Sequence, residues 1–288
     1  MKFTMYHNFS TYVIEHGIEK AAEIAKSLGF SGVEIFSDDV TDAENAIKTV
    51  EEAIHAKSVL EEYGLAVNCY SVYAGIYRNP AGVESLMKQL DIAAALGSPY
   101  FHHTLLPWLE LWDGAPEYKE AVQEVVEVAA QIADYADTLG IICIYEDQGY
   151  YVNGVEGFRG FWNQMKKRCN NIGICGDLGN ILFVNETPEA FLKEYVHDVC
   201  HVHVKDYIWK RAKECPGRYW LGAKDDSWLR DTMIGSGVVD FETCMNILKD
   251  VGYDGYFALE NCHPEPYEEG VYQAMEYLNR FWQKSNEY

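Results

Sequence analysis

Four residues in the second half of the chain have the chemistry of metal ligands and sit where strands should end. Glu146 closes the apolar run Ile141 to Glu146, Asp177 closes Ile172 to Asp177, His203 lies in Val199 to Val204, and Glu260 closes Gly255 to Glu260. Side chains alternate faces along a strand. Glu146 therefore shares a face with Ile144 and Ile142, Asp177 with Cys175 and Gly173, and Glu260 with Ala258. If those faces point into a closed sheet, three carboxylates and an imidazole converge. Burying unpaired charge is costly, and like charges in one site force protonation. A divalent cation resolves both problems. A mostly oxygen donor set suits Mn2+, Mg2+ or Co2+ better than a structural zinc. One divalent ion is expected, Mn2+ first, with Mg2+, Co2+ or Zn2+ as alternatives. Any one of the four alone reads more simply as a polar residue at a solvated rim; four in register on consecutive strands point to a site.

Such a site favours one kind of chemistry. A proton beside a carbonyl is hard to remove at neutral pH. A metal chelated by adjacent substrate oxygens acts as a Lewis acid and stabilises the enediolate that forms. A carboxylate on one face removes the proton, and one on the opposite face returns it. Glu146 and Glu260 come from non-adjacent strands and are expected to be both ligands and the acid/base pair.

The elements that must position these residues repeat from end to end. Eight short apolar runs, at Lys2 to Tyr6, Gly32 to Phe36, Ala66 to Tyr70, Pro99 to His103 and the four above, alternate with amphipathic stretches. Helical spacing is read near Ile18 to Leu28, from Ala43 to Leu60 behind the caps Thr41 and Asp42, and near Val83 to Leu96. It recurs at Tyr118 to Leu139, Phe158 to Lys167, after Thr187-Pro188-Glu189, from Asp240 to Lys249 and at Glu268 to Phe281. Strands that are apolar throughout indicate a parallel sheet covered on both faces. Eight strand–helix units predict an α/β fold with a single (β/α)8 TIM barrel domain over residues 1–288. An open doubly wound sheet ranks lower, because no G-x-G-x-x-G turn follows the first strand. A long loop after strand 7, Tyr207 to Val239, reads as an ordered lid, being rich in Lys, Arg, Trp and Gly.

Composition narrows the partners. Of 288 residues, 45 are acidic and 23 basic, for a net charge of -22. That balance argues against nucleic acid and against an anionic membrane surface. It does not forbid an anionic substrate, because a bound cation inverts the local field. The eight cysteines form no C-x-x-C pair, which reads as a reducing compartment. With no apolar leader and no run long enough to span a membrane, a cytoplasmic location is expected.

The segments Ile234-Gly235-Ser236-Gly237-Val238-Val239-Asp240-Phe241, Gly252 to Glu260 and His201-Val202-His203-Val204-Lys205-Asp206 together resemble the xylose isomerase-like barrel superfamily. More narrowly, they are similar to its sugar phosphate isomerase/epimerase group. Gly29 to Ile35 and Gly176-Asp177-Leu178-Gly179-Asn180 fit the same pattern. The resemblance implies a divalent-metal site at Glu146, Asp177, His203 and Glu260, with the two glutamates exchanging the substrate proton as in ketose 3-epimerases. It also marks a departure. Epimerases and inosose dehydratases of the group usually carry histidine three residues after the strand-6 aspartate, where this chain has Asn180. Asparagine can hydrogen-bond a hydroxyl but is neither acid nor base near neutral pH.

His7, Tyr70, His102, Asn180, Lys205 and Asp206 are expected around the substrate. His7 ends strand 1. His102 and His103 end strand 4 and face opposite ways, so at most one points inward. Tyr70 and Glu34 end strands 3 and 2 and either support the site or pack. Lys205 shares its parity with His203 and would reach a substrate oxygen or phosphate, while Asp206 would orient a ligand. His201, deeper on the same face, reads as a hydrogen-bonded core histidine. The lid bases Lys210, Arg211, Lys213 and Arg218 would contact a phosphate or make surface ion pairs. Trp108, Trp112, Trp209, Trp220 and Trp228 would stack on a sugar or form a subunit interface, and a homo-oligomer is among the expectations.

The leading reading is a metal-dependent isomerase or epimerase of a small sugar or keto-sugar. The alternative is a lyase on the same barrel, resembling an inosose dehydratase or cleaving an oxidised C-glycoside. An apurinic endonuclease would need a histidine-rich zinc cluster and a basic face, and a binding or assembly barrel would not need an intact ligand quartet.

Overall fold

Apolar runs of strand length cannot bury both faces unless helices cover one side and the sheet closes on the other. In the computed structural model, which describes residues 1–38, 45–106, 115–260 and 267–283, they do so. The barrel strands are β1 (Lys2–Met5), β2 (Gly32–Asp38), β3 (Ala66–Tyr73), β4 (Tyr100–His103), β5 (Ile142–Glu146), β6 (Ile172–Asp177), β7 (Val199–Val204) and β11 (Tyr256–Leu259). They close in the order β1-β11-β7-β6-β5-β4-β3-β2, with parallel pairing throughout. This is the (β/α)8 barrel the sequence predicts.

The covering helices are α1 (His7–His16), α2 (Ile18–Ser27), α3 (Val50–Glu62), α4 (Pro80–Leu96), α5 (Tyr118–Thr138), α6 (Val155–Met165), α7 (Pro188–Tyr195), α8 (Phe241–Asp250) and α9 (Tyr267–Gln283). Large side chains such as Phe101, Tyr145, Phe158, Phe161 and Trp162 are fully buried. Inside the barrel a smaller layer joins Cys69, Ile144 and Cys175, flanked by Tyr100, Ile142 and Cys200. Gly173 leaves room for it, since a Cβ there would collide with the Cys200 sulfur.

Several expectations need correction. The sequence reading has no counterpart to α1. That helix begins directly after β1 without a side-chain cap, and its HNFSTYVIEH sequence is poor in strong helix formers. Gly17, at φ 85°, separates it from α2. The third helix starts at Val50, capped by the Thr49 hydroxyl accepting from the Glu52 amide; Thr41 and Asp42 lie outside the described residues. Likewise α4 starts at Pro80, three residues early, capped by Asn79. β3 runs on to Tyr73 rather than stopping at Tyr70.

The long loop after strand 7 is largely a three-stranded antiparallel sheet, in the order β8 (Asp206–Arg211), β10 (Ser227–Thr232), β9 (Leu221–Ala223). It rests on the loops after β5 and β6. The Tyr150 hydroxyl donates to the Gly222 carbonyl at 2.6 Å, the Lys224 amide to Phe183 at 2.9 Å, and the Phe183 and Tyr207 rings meet edge to face. No helix among the described residues is long and apolar enough to cross a membrane.

Candidate functional site

Glu146, Asp177, His203 and Glu260 stand at the C-terminal ends of β5, β6 and β7 and just past β11, four strands that are consecutive neighbours around the barrel. Their ligating atoms all lie within 4.8 Å of one another. His203 is the centre. Its Nδ1 is 2.7 Å from Glu146 Oε1, 3.7 Å from Glu260 Oε2 and 3.9 Å from Asp177 Oδ2. A proton on one ring nitrogen can satisfy only one of three carboxylates, whereas a divalent cation can neutralise all of them. The residues present therefore fit such an ion.

The charges of these side chains act strongly on one another. Burial and the charge of Asp177 push the Glu146 carboxyl up to about 7. Burial also opposes charge on Glu260, but the Lys205 ammonium, with His7 and His203, holds its carboxyl well below the usual carboxylate range. Lys205 Nζ is 2.7 Å from Glu260 Oε2 and 3.0 Å from Asp177 Oδ2. Against its burial, those two acids hold the ammonium well above the usual lysine range.

Below the quartet a second polar tier holds the imidazole. His203 Nε2 lies 3.1 Å from Glu34 Oε1, and Glu34 Oε2 lies 2.7 Å from His201 Nε2. The Ser71 hydroxyl donates a short hydrogen bond to Glu34 and lies 3.1 Å from His102 Nδ1. Although burial opposes it, His203 and His201 keep the Glu34 carboxyl well below the usual range. A carboxylate on one ring nitrogen orients the other toward the quartet. His102 points inward, with Nε2 3.8 Å from Glu146 Oε2, and burial, reinforced by His203, keeps it neutral. His103 faces outward against Phe101 and Tyr145. His201 is the hydrogen-bonded core histidine its depth suggests.

The other substrate-site expectations divide. His7 reaches the mouth as the first residue of α1, with Nε2 3.4 Å from Glu260 Oε1. Asn180 is buried beside Lys205, its Oδ1 3.1 Å from the ammonium. Tyr70 is not at the mouth. It points out of the barrel toward α4, donating to Gln89 at 2.5 Å and stacking on Phe101, because the alternation along β3 turns Ser71 inward instead. Asp206 faces the loop before α8. Its carboxylate accepts from the amides of Tyr207, Gly235, Gly237 and Val239 at 2.7–3.2 Å. It therefore folds the chain rather than orienting a ligand.

Ser71 escaped the sequence reading because β3 is longer than its apolar run. Asp147 and Tyr6 also escaped it. The buried Asp147 Oδ1 accepts the Asp177 amide at 3.0 Å, and the Tyr6 ring lies 4.8 Å from that of His203. The Glu146-Asp147 pair closing a strand was the available signal for the first. Of the lid tryptophans, Trp228 Nε1 donates to the Ala212 carbonyl within the insert and Trp209 Nε1 to Asn185 Oδ1 in the segment after β6. Trp108 and Trp112 lie outside the described residues.

The family model for the xylose isomerase-like TIM barrel matches residues 22–281. The chain belongs to that family. Among curated relatives, an inosose dehydratase of Clostridium beijerinckii is 30% identical over 87 residues, 29% of this chain and 28% of that protein. The chain thus matches less than a third of the length of the curated relatives. Among solved structures, the 3-keto-D-glucoside 4-epimerase YcjR of E. coli superposes with a TM-score of 0.73 at 18% identity, covering 97% of this chain and 99% of that one. A xylose isomerase-like TIM barrel protein of Mycobacterium smegmatis, solved in complex with magnesium, gives 0.68 at 16% identity, over 97% and 94%. Identities this low establish the shared barrel. The matched proteins include a dehydratase and an epimerase.

Proposed function

We propose that the protein is a divalent-metal-dependent isomerase or epimerase of a sugar or keto-sugar, with Glu146, Asp177, His203 and Glu260 as the metal's ligands. The observation that carries this reading is the ring of three carboxylates around His203 Nδ1. Bound there, the ion, Mn2+ in the first instance, would supply the positive charge that makes a substrate proton beside a carbonyl acidic.

The chain's own residues do the rest. Glu146 and Glu260 reach the centre from β5 and past β11, with β6 and β7 between them. They flank a bound sugar, one taking the proton and the other returning it. Lys205 and His7 hold Glu260 ionised, and the Glu34 carboxylate fixes the His203 ring. Asn180 has a defined role. An ammonium cannot accept a hydrogen bond, so its contact with Oδ1 fixes which way the amide points. Nδ2 is then a donor, and it has no hydrogen-bond partner among the described residues. It is suited to a substrate hydroxyl or carbonyl oxygen.

A lyase is the second reading. The likeness to inosose dehydratases over part of the chain supports it. The test is chromatography and NMR of mixtures of Mn2+-loaded protein with ketoses, keto-inositols and oxidised glycosides. A rearranged sugar of unchanged mass supports the isomerase or epimerase, and loss of water or an aglycone supports the lyase. Full turnover by protein stripped of metal would refute both.

A further inference from the structure

We propose that the substrate of this mouth is uncharged: a ketone-bearing sugar, glycoside or cyclitol with no phosphate or carboxylate group. The proposal rests on the enolisation reading above and narrows its substrate class.

An anionic group needs either cations or free backbone N–H donors. The connections from strand to helix supply very few cations. Those following β1, β4, β5, β6 and β11 contain neither Lys nor Arg, and the stretches 39–44, 107–114 and 261–266 contain none either. After β2 there is only Lys48, which is solvent-exposed. After β3 there is only Arg78, whose guanidinium is engaged by Glu120 and Glu124. After β7 come Lys205 and the bases of the three-stranded insert.

Lys205 already faces three acceptors, on Asp177, Glu260 and Asn180, and an ammonium has three N–H groups. The insert's bases, from Lys210 to Arg230, are all exposed. The guanidiniums of Arg211, Arg218 and Arg230 lie over the rings of Trp209, Tyr219 and Trp220. Among the described residues, the ion pairs that reach Asp177 and Glu260 from other parts of the chain come from Lys205, His7 and His203.

Two clusters of backbone donors among the described residues are also occupied. Barrels commonly bind phosphate on amides of the loops after their seventh and eighth strands. Here the amides of Gly235, Gly237 and Val239 converge at 2.7–3.2 Å on the Asp206 carboxylate. Gly237 is fitted to it so closely that a Cβ would strike that carboxylate. After β6, the amides of Gly179 and Asn180 both donate at 2.7 Å to Asp177 Oδ1. Both of these amide clusters are filled by a carboxylate of the chain itself.

The local field agrees. Among the described residues, the carboxyl groups of Glu146, Asp177 and Glu260 at the mouth, with Glu34 and Asp147 behind them, face a single lysine, and a divalent ion would add only two positive charges. Sugar hydroxyls, by contrast, can donate to such acids and accept from Asn180 Nδ2.

The test is exchange of the proton beside the ketone for deuterium, followed by 1H NMR, with Mn2+-loaded wild-type protein. The neutral probes are D-fructose, a keto-inositol and a methyl 3-ketoglucoside, and D-fructose 6-phosphate is the matched charged probe. Exchange is expected with at least one neutral probe, at a rate about 100-fold or more above that of the phosphate ester. Exchange of the phosphate ester as fast as the best neutral probe would overturn the charge inference and leave the enolisation reading standing. Exchange with no probe would remove the enolisation reading, and this proposal with it.

Discussion

Asp177 ends β6 and Asp206 lies two residues past β7; both are buried aspartates that accept backbone amides. Asp177 commits one oxygen to the Gly179 and Asn180 amides and leaves Oδ2 facing Lys205 and His203. Asp206 commits both oxygens, to four amides, three of them in the loop before α8. One carboxylate keeps an oxygen available for chemistry; the other is used up in folding. Residue type and burial are the same for both, so what separates them is where the following chain places its N–H groups.

Four substitutions probe that contrast. The largest effect should come from the glutamates beside Asp177. Glu146→Gln or Glu260→Gln should lower turnover by about 10^3-fold or more with the circular dichroism spectrum unchanged, and near-normal rates in both would end the acid/base assignment. Next, Asp177→Asn should weaken Mn2+ binding, measured calorimetrically, by more than the about 10–100-fold typical of a supporting residue. Asp206→Ala should leave Mn2+ affinity alone but cost about 3 kcal/mol of stability in urea unfolding. If the two phenotypes were exchanged, the contrast would be wrong.

A pH experiment separates the site from a buried bystander. Burial lowers the His103 imidazole from 6.5 to about 4, against the pull of its bond to Thr104. The unfolded chain takes up that proton first, so the contribution is fully present above about pH 6.5 and lost as pH falls toward 4. The loss should reach about 3 kcal/mol. His103→Gln should flatten that part of the wild-type profile while leaving metal binding intact. The smallest effect is expected at Glu34, where Glu34→Gln should lower Mn2+ affinity by about 10–100-fold. Unchanged affinity would make the tier beneath His203 mere packing.

Much of this arrangement could be read from residue order. The apolar runs ending in Glu146, Asp177 and Glu260, with His203 between, are written in period two, and period two places a side chain on a face without further information. The same parity says that at most one of His102 and His103 faces inward, and the structure makes it His102. The parity argument failed where strand length was misjudged: β3 extends past its apolar residues to Tyr73, so Ser71 took the inward position and Tyr70 became packing. It had nothing to say about α1, whose ten residues carry no cap and weak propensity.

The sequence by itself determined the number of strand–helix units, their parallel sense and the four residues that meet at the mouth, because these depend on local periodicity and chain order. Only the tertiary structure decided that Glu34 lies under His203, that Lys205 bridges Asp177 and Glu260, and that Asp206 fills the amide nest before α8. Those contacts join residues as far as 169 positions apart. Their existence depends on barrel closure and register, which no short stretch of the chain encodes.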